Sequence, residues 1–412
     1  MSRAQCPMPM VYAAAAGAAA AYLIARKVRA AEEDAPFDGR LDAVSAVVRP
    51  NIRRLEPYRC ARDDYESGVL LDANESCHGS VLARTGDALA RAANALDLNR
   101  YPCPYQRPLK ERVAAFRGVR AANVFVGVGS DEAIDLLFRV FCEPRRANVV
   151  VCPATYGMYK VCAAAQDVAV RTAPLVPGTF QLDVDAVEAA ADRNTRLVFA
   201  CSPGNPTSAS LPIRDVVRLL DSPKLARCIV VVDEAYVDFS ETASAAPLVL
   251  EHPRLVVLHT LSKAFGLAGV RCGTAIGDET LVGYLNRIKA PYSINKLTAS
   301  LAAQAFSPDA LAALDATVAA VKDERRRLAA ALAERPFVAR VYPSDANFLL
   351  VKFKNEAQAK PLYTKMAENG VVVRYRGDQA NLAGCLRMTV GTPADTKALL
   401  ACLDATAADL GL

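Results

Sequence analysis

The chain has 412 residues, of which 52% are hydrophobic and 23% charged, a composition typical of a globular protein large enough for two domains. The net charge of +5 is small for this length and no nucleic-acid-binding motif is present, so nucleic acid is not an expected partner. The 12 cysteines form no C-x-x-C pairs and the three histidines lack ligand spacing, which favours free, mostly buried thiols in a reducing compartment over disulfides or a metal site.

The N-terminal 35 residues differ from the rest of the chain. A charge-free, alanine-rich stretch from Met10 to Ala25 is followed by Arg26-Lys-Val-Arg29, and no acidic residue precedes Glu32. This pattern is similar to a mitochondrial or plastid transit peptide, and an alanine-rich extension of a cytoplasmic protein is the open alternative. A membrane anchor over residues 10–25 is less favoured, because a span needs about 20 apolar residues.

From Asn123 onward, short β-branched runs alternate with helical patterns such as Asp131–Phe141. Runs of this kind, bounded by glycine or proline, are typical of strands buried on both faces, and their alternation with helices predicts a mostly parallel α/β sheet. The predicted strands are Val124–Val126, Asn148–Cys152, Arg196–Cys201, Cys228–Val232 and Leu255–Leu258.

The character of the sequence changes near Pro308. A long Ala/Leu/Arg helical pattern runs to Glu334 and is followed by three separated strand patterns, which predict a smaller α+β domain. Those strand patterns are Ala346–Phe353, Gly370–Arg374 and Cys385–Val390. We therefore divide the chain into an N-terminal extension (1–35), an arm with part of the small domain (36–85), a large domain (86–305) and a small C-terminal domain (306–412).

Three loops at the carboxyl ends of predicted strands carry polar residues, and ligands of open α/β sheets bind at such ends. Gly127-Val-Gly-Ser-Asp-Glu132 opens a helix whose first amides can bind a phosphate, although the same residues form an ordinary helix start. Two prolines hold Asn205 in Cys201-Ser-Pro-Gly-Asn-Pro-Thr207, which is also compatible with a plain turn. Asp233 follows three valines and needs a cationic partner if it is buried, or it caps the next helix.

The fourth loop is Thr260-Leu-Ser-Lys-Ala-Phe-Gly-Leu-Ala-Gly-Val-Arg271, directly after an apolar strand. Lys263 is poorly placed for a solvated charge and well placed for a Schiff base with an aldehyde, which requires a partly desolvated amine. The neighbouring hydroxyls and Arg271 can hold a phosphate beside it. A pyridinium nitrogen is a suitable cationic partner for Asp233. The four loops together predict a site for pyridoxal 5′-phosphate (PLP).

From about Asp42 to the C-terminus the sequence resembles the fold-type I aminotransferases, and among them the histidinol-phosphate aminotransferases. The narrower motifs are Asn99-Arg-Tyr-Pro102 and Gly384-Cys-Leu-Arg-Met-Thr-Val-Gly391. The other matching segments are Leu55–Arg62, Leu71–Glu75, Cys152–Tyr159, the Lys263 loop and Ala290–Tyr292. The resemblance implies a fold with a large, seven-stranded type of sheet domain and a smaller α+β domain. It also implies transamination of L-histidinol phosphate with 2-oxoglutarate to imidazole acetol phosphate and L-glutamate, in histidine biosynthesis.

The resemblance also implies individual roles. Lys263 would bind the cofactor covalently and move protons, and Asp233 would pair with the ring nitrogen. The other implied cofactor contacts are Asn205 and Tyr236 to the ring oxygen, Tyr156 to the ring face, and Ser130, Asp131, Thr260, Ser262 and Arg271 to the phosphate. Tyr101 would reach that phosphate from the second subunit of a homodimer. The implied substrate contacts are Tyr58, Asn74, Arg374 and Arg387.

Three alternatives stay open at the level of sequence. The same pocket is compatible with aromatic amino-acid transamination or with decarboxylation of a phosphothreonine-like substrate. The third alternative is a protein that binds or regulates without catalysis. The intact set of cofactor residues argues against it. Two positions depart from the family pattern: Ser208 stands where glycine is common, and Val128 stands where asparagine is frequent.

Overall fold

The computed structural model describes residues 49–55, 61–65, 67–84 and 96–412. The chain divides into two compact units, residues 1–57 and residues 58–412. The described part of the first unit contains a short helix, α1 (Pro50–Arg53), which begins with proline, where the missing N–H is not needed. The predicted N-terminal extension and Tyr58 lie outside the described residues.

The remaining elements all belong to the second unit. Its strands are β1 (Val69–Leu70), β2 (Val124–Gly127), β3 (Asn148–Val151), β4 (Ala169–Thr172), β5 (Thr195–Cys201), β6 (Ile229–Asp233), β7 (Leu255–Thr260), β8 (Gly273–Gly277), β9 (Val338–Val341), β10 (Phe348–Phe353), β11 (Val371–Val372), β12 (Arg374–Tyr375) and β13 (Cys385–Thr389). Its helices are α2 (Arg107–Arg117), α3 (Gly129–Phe141), α4 (Met158–Ala165), α5 (Val184–Ala190), α6 (Ile213–Asp221), α7 (Glu279–Ile288), α8 (Lys296–Gln304), α9 (Pro308–Ala333), α10 (Ala359–Glu368) and α11 (Pro393–Asp409).

Seven strands form the large sheet, in the order β2-β8-β7-β6-β5-β3-β4. Its strands run parallel except β8, which is antiparallel to both β2 and β7. The predicted large, mostly parallel sheet is therefore confirmed, with all five predicted strands in place. The sequence analysis missed β4, an edge strand that is mostly exposed, and β8, which begins and ends with glycine.

Burial on both faces explains why these strands are nearly continuous apolar runs. Successive residues of a strand point to opposite faces, so Val230 and Val232 join one hydrophobic cluster while Val231 joins the other. All three side chains have at most 1% of their surface exposed. The sheet is thereby fixed between two apolar layers, and its carboxyl ends form a rigid platform.

A second, four-stranded antiparallel sheet has the order β12-β13-β10-β9 and packs with helices near the C-terminus. The predicted long helix is α9, with 26 residues. The strand predicted over residues 370–374 is split: β11 pairs in parallel with β1, and β12 pairs with β13. These elements fit the predicted smaller α+β region, and the proposed domain boundaries stay a prediction.

Ten cysteines lie in the described residues and all are free thiols, as expected. Six are buried and Cys103 is exposed. None of the helices in the described part of the chain has the length and apolar character needed to cross a membrane.

Candidate active site

One cavity of about 290 Å³ lies where the four predicted loops meet. It is large enough for a small cofactor, and it mixes a few polar groups with apolar walls as ligand sites do. Of the described residues that the sequence analysis selected, Tyr101 alone does not line it. Those that line it are Asn74, Ser130, Asp131, Tyr156, Asn205, Asp233, Tyr236, Thr260, Ser262, Lys263, Arg271, Arg374 and Arg387.

One end of the cavity is built for an anion. Helix α3 begins at Gly129, and its first amides are unpaired within the helix, so they can bind negative charge. Gly129 has φ +72°, and a Cβ there would lie 2.6 Å from Nη2 of Arg271. A Cβ on Gly273 would lie 2.9 Å from Gly129 Cα. Glycine is required at 129 by its left-handed backbone, and at 273 because a Cβ would run into the backbone at the start of α3.

Hydroxyl groups complete the anion end. Thr260 Oγ1 donates a hydrogen bond to Ser262 Oγ at 2.9 Å, and Arg271 Nη1 lies 3.5 Å from the same oxygen. Arg271 Nη2 is 3.8 Å from the Asp131 carboxylate, and that carboxylate also accepts a hydrogen bond from Tyr156 at 3.0 Å. The structure brings together the donors and positive charge that the sequence analysis assigned to a phosphate, and their contact with a phosphate stays a prediction.

Lys263 projects into the cavity from the loop after β7. Its Nζ donates to the carbonyl oxygen of Ala73 at 3.0 Å and lies 5.7 Å from the ring centre of Tyr236. The pKa of Lys263 is lowered to about 8, mainly by burial and secondly by the charge of Arg387. A partly desolvated amine of this kind has the neutral form needed for nucleophilic attack.

Asp233 ends β6 on the cavity wall and is 3% exposed. Its Oδ2 accepts a hydrogen bond from Tyr159 at 2.6 Å, and its Oδ1 accepts one from the backbone N–H of Ala235 at 3.2 Å. Burial raises the pKa of Asp233 to about 6, against the effect of these hydrogen bonds. Within the described part of the chain, no lysine or arginine forms an ion pair with it. The site therefore presents a buried carboxylate suited to a cationic ligand group.

A chain of hydrogen bonds connects Tyr236 and Asn205, the residues predicted to contact the ring oxygen of the cofactor, with Arg387. Tyr236 OH accepts from Nδ2 of Asn74 at 3.0 Å and from Nδ2 of Asn205 at 3.5 Å. Nη1 of Arg387 donates to Oδ1 of Asn205 at 2.7 Å. Burial raises the pKa of Tyr236 to about 12, so its hydroxyl remains a donor at neutral pH. Asn74 is engaged by Tyr236 and by Thr389, which donates to its Oδ1 at 3.0 Å, so its amide supports the site wall.

Three guanidinium groups converge at the other end of the cavity. Arg374 and Arg387 are register partners on β12 and β13, and Arg376 lines the cavity two residues after Arg374. Burial lowers the pKa of Arg387 to about 9, which still leaves it charged at neutral pH. The sequence analysis missed Arg376, because it follows β12 and lies beyond the strand pattern predicted over residues 370–374.

The cavity wall includes further residues that the sequence analysis did not select. Asp72 and Glu75 belong to the quoted Leu71–Glu75 segment, in which only Asn74 was given a role, and Cys201 precedes the Asn205 loop. Tyr101 lies elsewhere, with 80% of its surface exposed, and its ring stacks on Tyr292 at 4.6 Å. It does not contribute to this chain's own cavity.

The family described as aminotransferase class I and II matches residues 66–403. A histidinol-phosphate aminotransferase from Candida maltosa is 39% identical over 392 residues, covering 89% of this chain and 99% of that relative. Those from Parabacteroides distasonis and Saccharomyces cerevisiae are 42% and 40% identical and cover 86% and 84% of this chain, and 96% and 93% of those relatives. A solved histidinol-phosphate aminotransferase from Sinorhizobium meliloti, in complex with pyridoxal 5′-phosphate, shares the fold with a TM-score of 0.79 at 24% identity, covering 88% of this chain and 98% of that one.

The fold and the site thus define an enzyme of the fold-type I class, in which PLP is the cofactor. The chain belongs to the class I and II aminotransferase family, and its sequence places it with the histidinol-phosphate aminotransferases in that family.

The residues present fit PLP. Gly129 and Ser130 at the start of α3 line the cavity, where the first amides of the helix can bind a phosphate. The buried carboxylate of Asp233 forms no ion pair with a lysine or arginine of the described residues, and Lys263 supplies an amine with a lowered pKa. The three features lie in one cavity, as a ligand with a phosphate, a basic ring nitrogen and an aldehyde requires.

Proposed function

We propose that this protein transfers the amino group of L-histidinol phosphate to 2-oxoglutarate, giving imidazole acetol phosphate and L-glutamate. The observation that carries the proposal is the convergence of Arg374, Arg376 and Arg387 beside Lys263. One site must bind a phosphorylated amine in one half-reaction and a dicarboxylic acid in the other. Guanidinium groups bind both phosphates and carboxylates with paired hydrogen bonds, so a shared arginine cluster suits both substrates. The similarity to named histidinol-phosphate aminotransferases supports the same reaction.

Each side chain then has a definite task. Lys263 would hold the cofactor through its side-chain nitrogen, and its Nζ, when free and neutral, would take the proton from the substrate Cα. When bound, PLP supplies an electron sink for the charge left on that carbon. Asp233 holds the ring nitrogen protonated. Tyr236 and Asn205 donate to the ring oxygen, and Tyr156 covers the ring face.

The two ends of the cavity hold the two anionic groups apart. The α3 amides of Ser130 and Asp131, with Thr260, Ser262 and Arg271, hold the cofactor phosphate. Arg374 and Arg387 orient the substrate anion, with Arg387 fixed by its bond to Asn205. Tyr58 is the remaining proposed substrate contact.

A substrate panel tests the proposal. Arg374→Ala should lower kcat/KM for histidinol phosphate about 10- to 100-fold, the value of a charge-assisted hydrogen bond, and should affect phenylalanine much less. Arg340→Ala is a matched control, because Arg340 of β9 lies over the ring of Tyr342 and does not line the cavity. Equal losses for both amines would favour aromatic transamination, and carbon dioxide release from phosphothreonine would favour a decarboxylase.

The proposed enzyme is a homodimer. Leu98, Tyr101, Tyr105 and Tyr292 are large apolar residues with 57%, 80%, 65% and 42% of their surface exposed, an unusual group for a monomer. Mixing two inactive variants tests whether Tyr101 acts across the interface. Lys263→Ala and Tyr101→Ala subunits should regain activity when mixed, because the hybrid has one intact site. If the subunits exchange and no activity is recovered, the result would contradict the action of Tyr101 across the interface.

We further propose that residues 1–35 direct the protein to an organelle, with a cytoplasmic location as the alternative. The acid-poor, arginine-containing start of the sequence supports targeting. The N-terminus of the protein isolated from cells tests this directly. A start near residue 35 supports cleavage of a transit peptide, and an intact Met1 contradicts it.

A further inference from the structure

The strongest contact to Asp233 comes from a residue that the predicted site did not include. Tyr159 lies in the first turn of α4 and its hydroxyl donates to Oδ2 of Asp233 at 2.6 Å. The whole Tyr159 side chain is inaccessible to solvent. The sequence analysis quoted Tyr159 as the last residue of a family motif and gave it no task.

Packing leaves the Tyr159 ring little freedom. It stacks on Phe199 of β5, with centroids 4.4 Å apart and planes 18° apart, and it meets Tyr156 edge-on at 5.7 Å. A stacked, fully buried ring holds its hydroxyl in one place, so the bond to Asp233 is fixed by the fold. The carboxylate still has lone pairs for a further donor, since each of its oxygens accepts one hydrogen bond in the protein.

The charges around Asp233 make this hydrogen bond important. The titratable groups that face it are Tyr156, Tyr159, Cys201, Tyr236, Asp131 and Lys263. Burial favours the neutral acid, and Asp131 adds to that effect, whereas Tyr159, the Ala235 amide and Lys263 favour the carboxylate. Burial also raises the pKa of Tyr159 well above its usual value, so its hydroxyl stays protonated and remains a donor.

We propose that Tyr159 is a positioning residue that orients the Asp233 carboxylate and keeps it ionised for the ring nitrogen of the cofactor. This inference rests on the proposed pairing of Asp233 with that nitrogen. Tyr159 does not line the cavity. Its hydroxyl has the Cys201 thiol as a second polar neighbour, and we assign its effect on the cofactor to the bond with Asp233. Tyr159 extends the cofactor site by one residue on α4.

Tyr159→Phe tests the proposal, because it removes one oxygen and keeps the stacked ring. The probe is pyridoxamine 5′-phosphate, which cannot form the covalent bond to Lys263, titrated by fluorescence into the full-length protein freed of cofactor. The wild-type protein should lose affinity below about pH 6, where Asp233 takes up a proton. The variant's loss of affinity should begin about one pH unit higher, so it should bind about two-fold more weakly at pH 7 and about nine-fold more weakly at pH 5.

Two controls separate positioning from general damage. Tyr342→Phe removes a hydroxyl from a buried tyrosine that lies outside the cavity and should leave binding and its pH profile unchanged. In an Asp233→Asn background, Tyr159→Phe should have no further effect on the pH profile. A Tyr159→Phe protein with the wild-type profile, or with a loss equal at every pH, would overturn the proposal. Absence of any binding by the wild-type protein would instead refute the cofactor site.

Discussion

The lowered pKa of Lys263 predicts how quickly the protein binds its cofactor at different pH values. Only the neutral amine attacks an aldehyde. With a pKa of about 8, roughly 9% of Lys263 is neutral at pH 7, against about 0.03% for a lysine at 10.5. Burial and the charge of Arg387 therefore make Lys263 about 300-fold more available as a nucleophile than a solvated lysine.

The assay is stopped-flow mixing of the cofactor-free protein with PLP, following the absorbance change that accompanies covalent attachment. The rate should rise about nine-fold from pH 6 to 7, about five-fold from pH 7 to 8, and less than two-fold from pH 8 to 9. N-acetyl-lysine methylamide under the same conditions serves as the control, because its rate should keep rising through pH 9. Replacing Arg387 with glutamine removes a nearby cation and should move the plateau to higher pH.

A rate for the protein that continues to rise about ten-fold per pH unit above pH 8 would refute the reasoning. It would mean that Lys263 titrates as a solvated lysine, despite its partly buried position and its bond to the Ala73 carbonyl. The proposed role of desolvation at this site would then be wrong.

Three further predictions concern the framework around the site. Arg117→Met should lower the free energy of unfolding by about 3–5 kcal/mol in urea denaturation, because the Asp238 side chain, 7% exposed, loses its arginine partner at 2.6 Å; a loss under 1 kcal/mol would contradict this. Ser208 has φ +61°, so Ser208→Gly should be more stable than Ser208→Ala by about 1 kcal/mol in the same assay, and the reverse order would contradict backbone strain. Gly273→Ala should abolish cofactor binding by pushing the backbone at the start of α3, whereas Gly283→Ala, with open space for its Cβ, should not; equal binding by both would argue against a phosphate site at the start of α3.

Much of the site was predictable because its functional residues lie at or just after the carboxyl ends of strands. Asp233 and Lys263 come directly after apolar runs, and parallel strands bring their carboxyl ends to one edge of a sheet. The large sheet was predictable for the same reason, since strands buried on both faces are continuous apolar runs. The missed strand β8 has too many small residues to give that pattern, and β4 is an exposed edge.

Other features depend on tertiary contacts that a single sequence does not contain. The bond from Tyr159 to Asp233 joins residues 74 positions apart. Arg376 faces the cavity because β12 pairs with β13, and the strand pattern over residues 370–374 gave no indication that it divides between two sheets. The sequence marked Ser208 as unusual, and its left-handed backbone explains why glycine suits that position.

The most direct test of the account is to identify the lysine that carries the cofactor. The PLP-loaded protein is reduced with borohydride and digested, and the peptides are analysed by mass spectrometry. The account predicts a cofactor label on Lys263, and none in a Lys263→Ala variant treated in the same way. A label on a different lysine of the wild-type protein, or no label on any peptide, would contradict it.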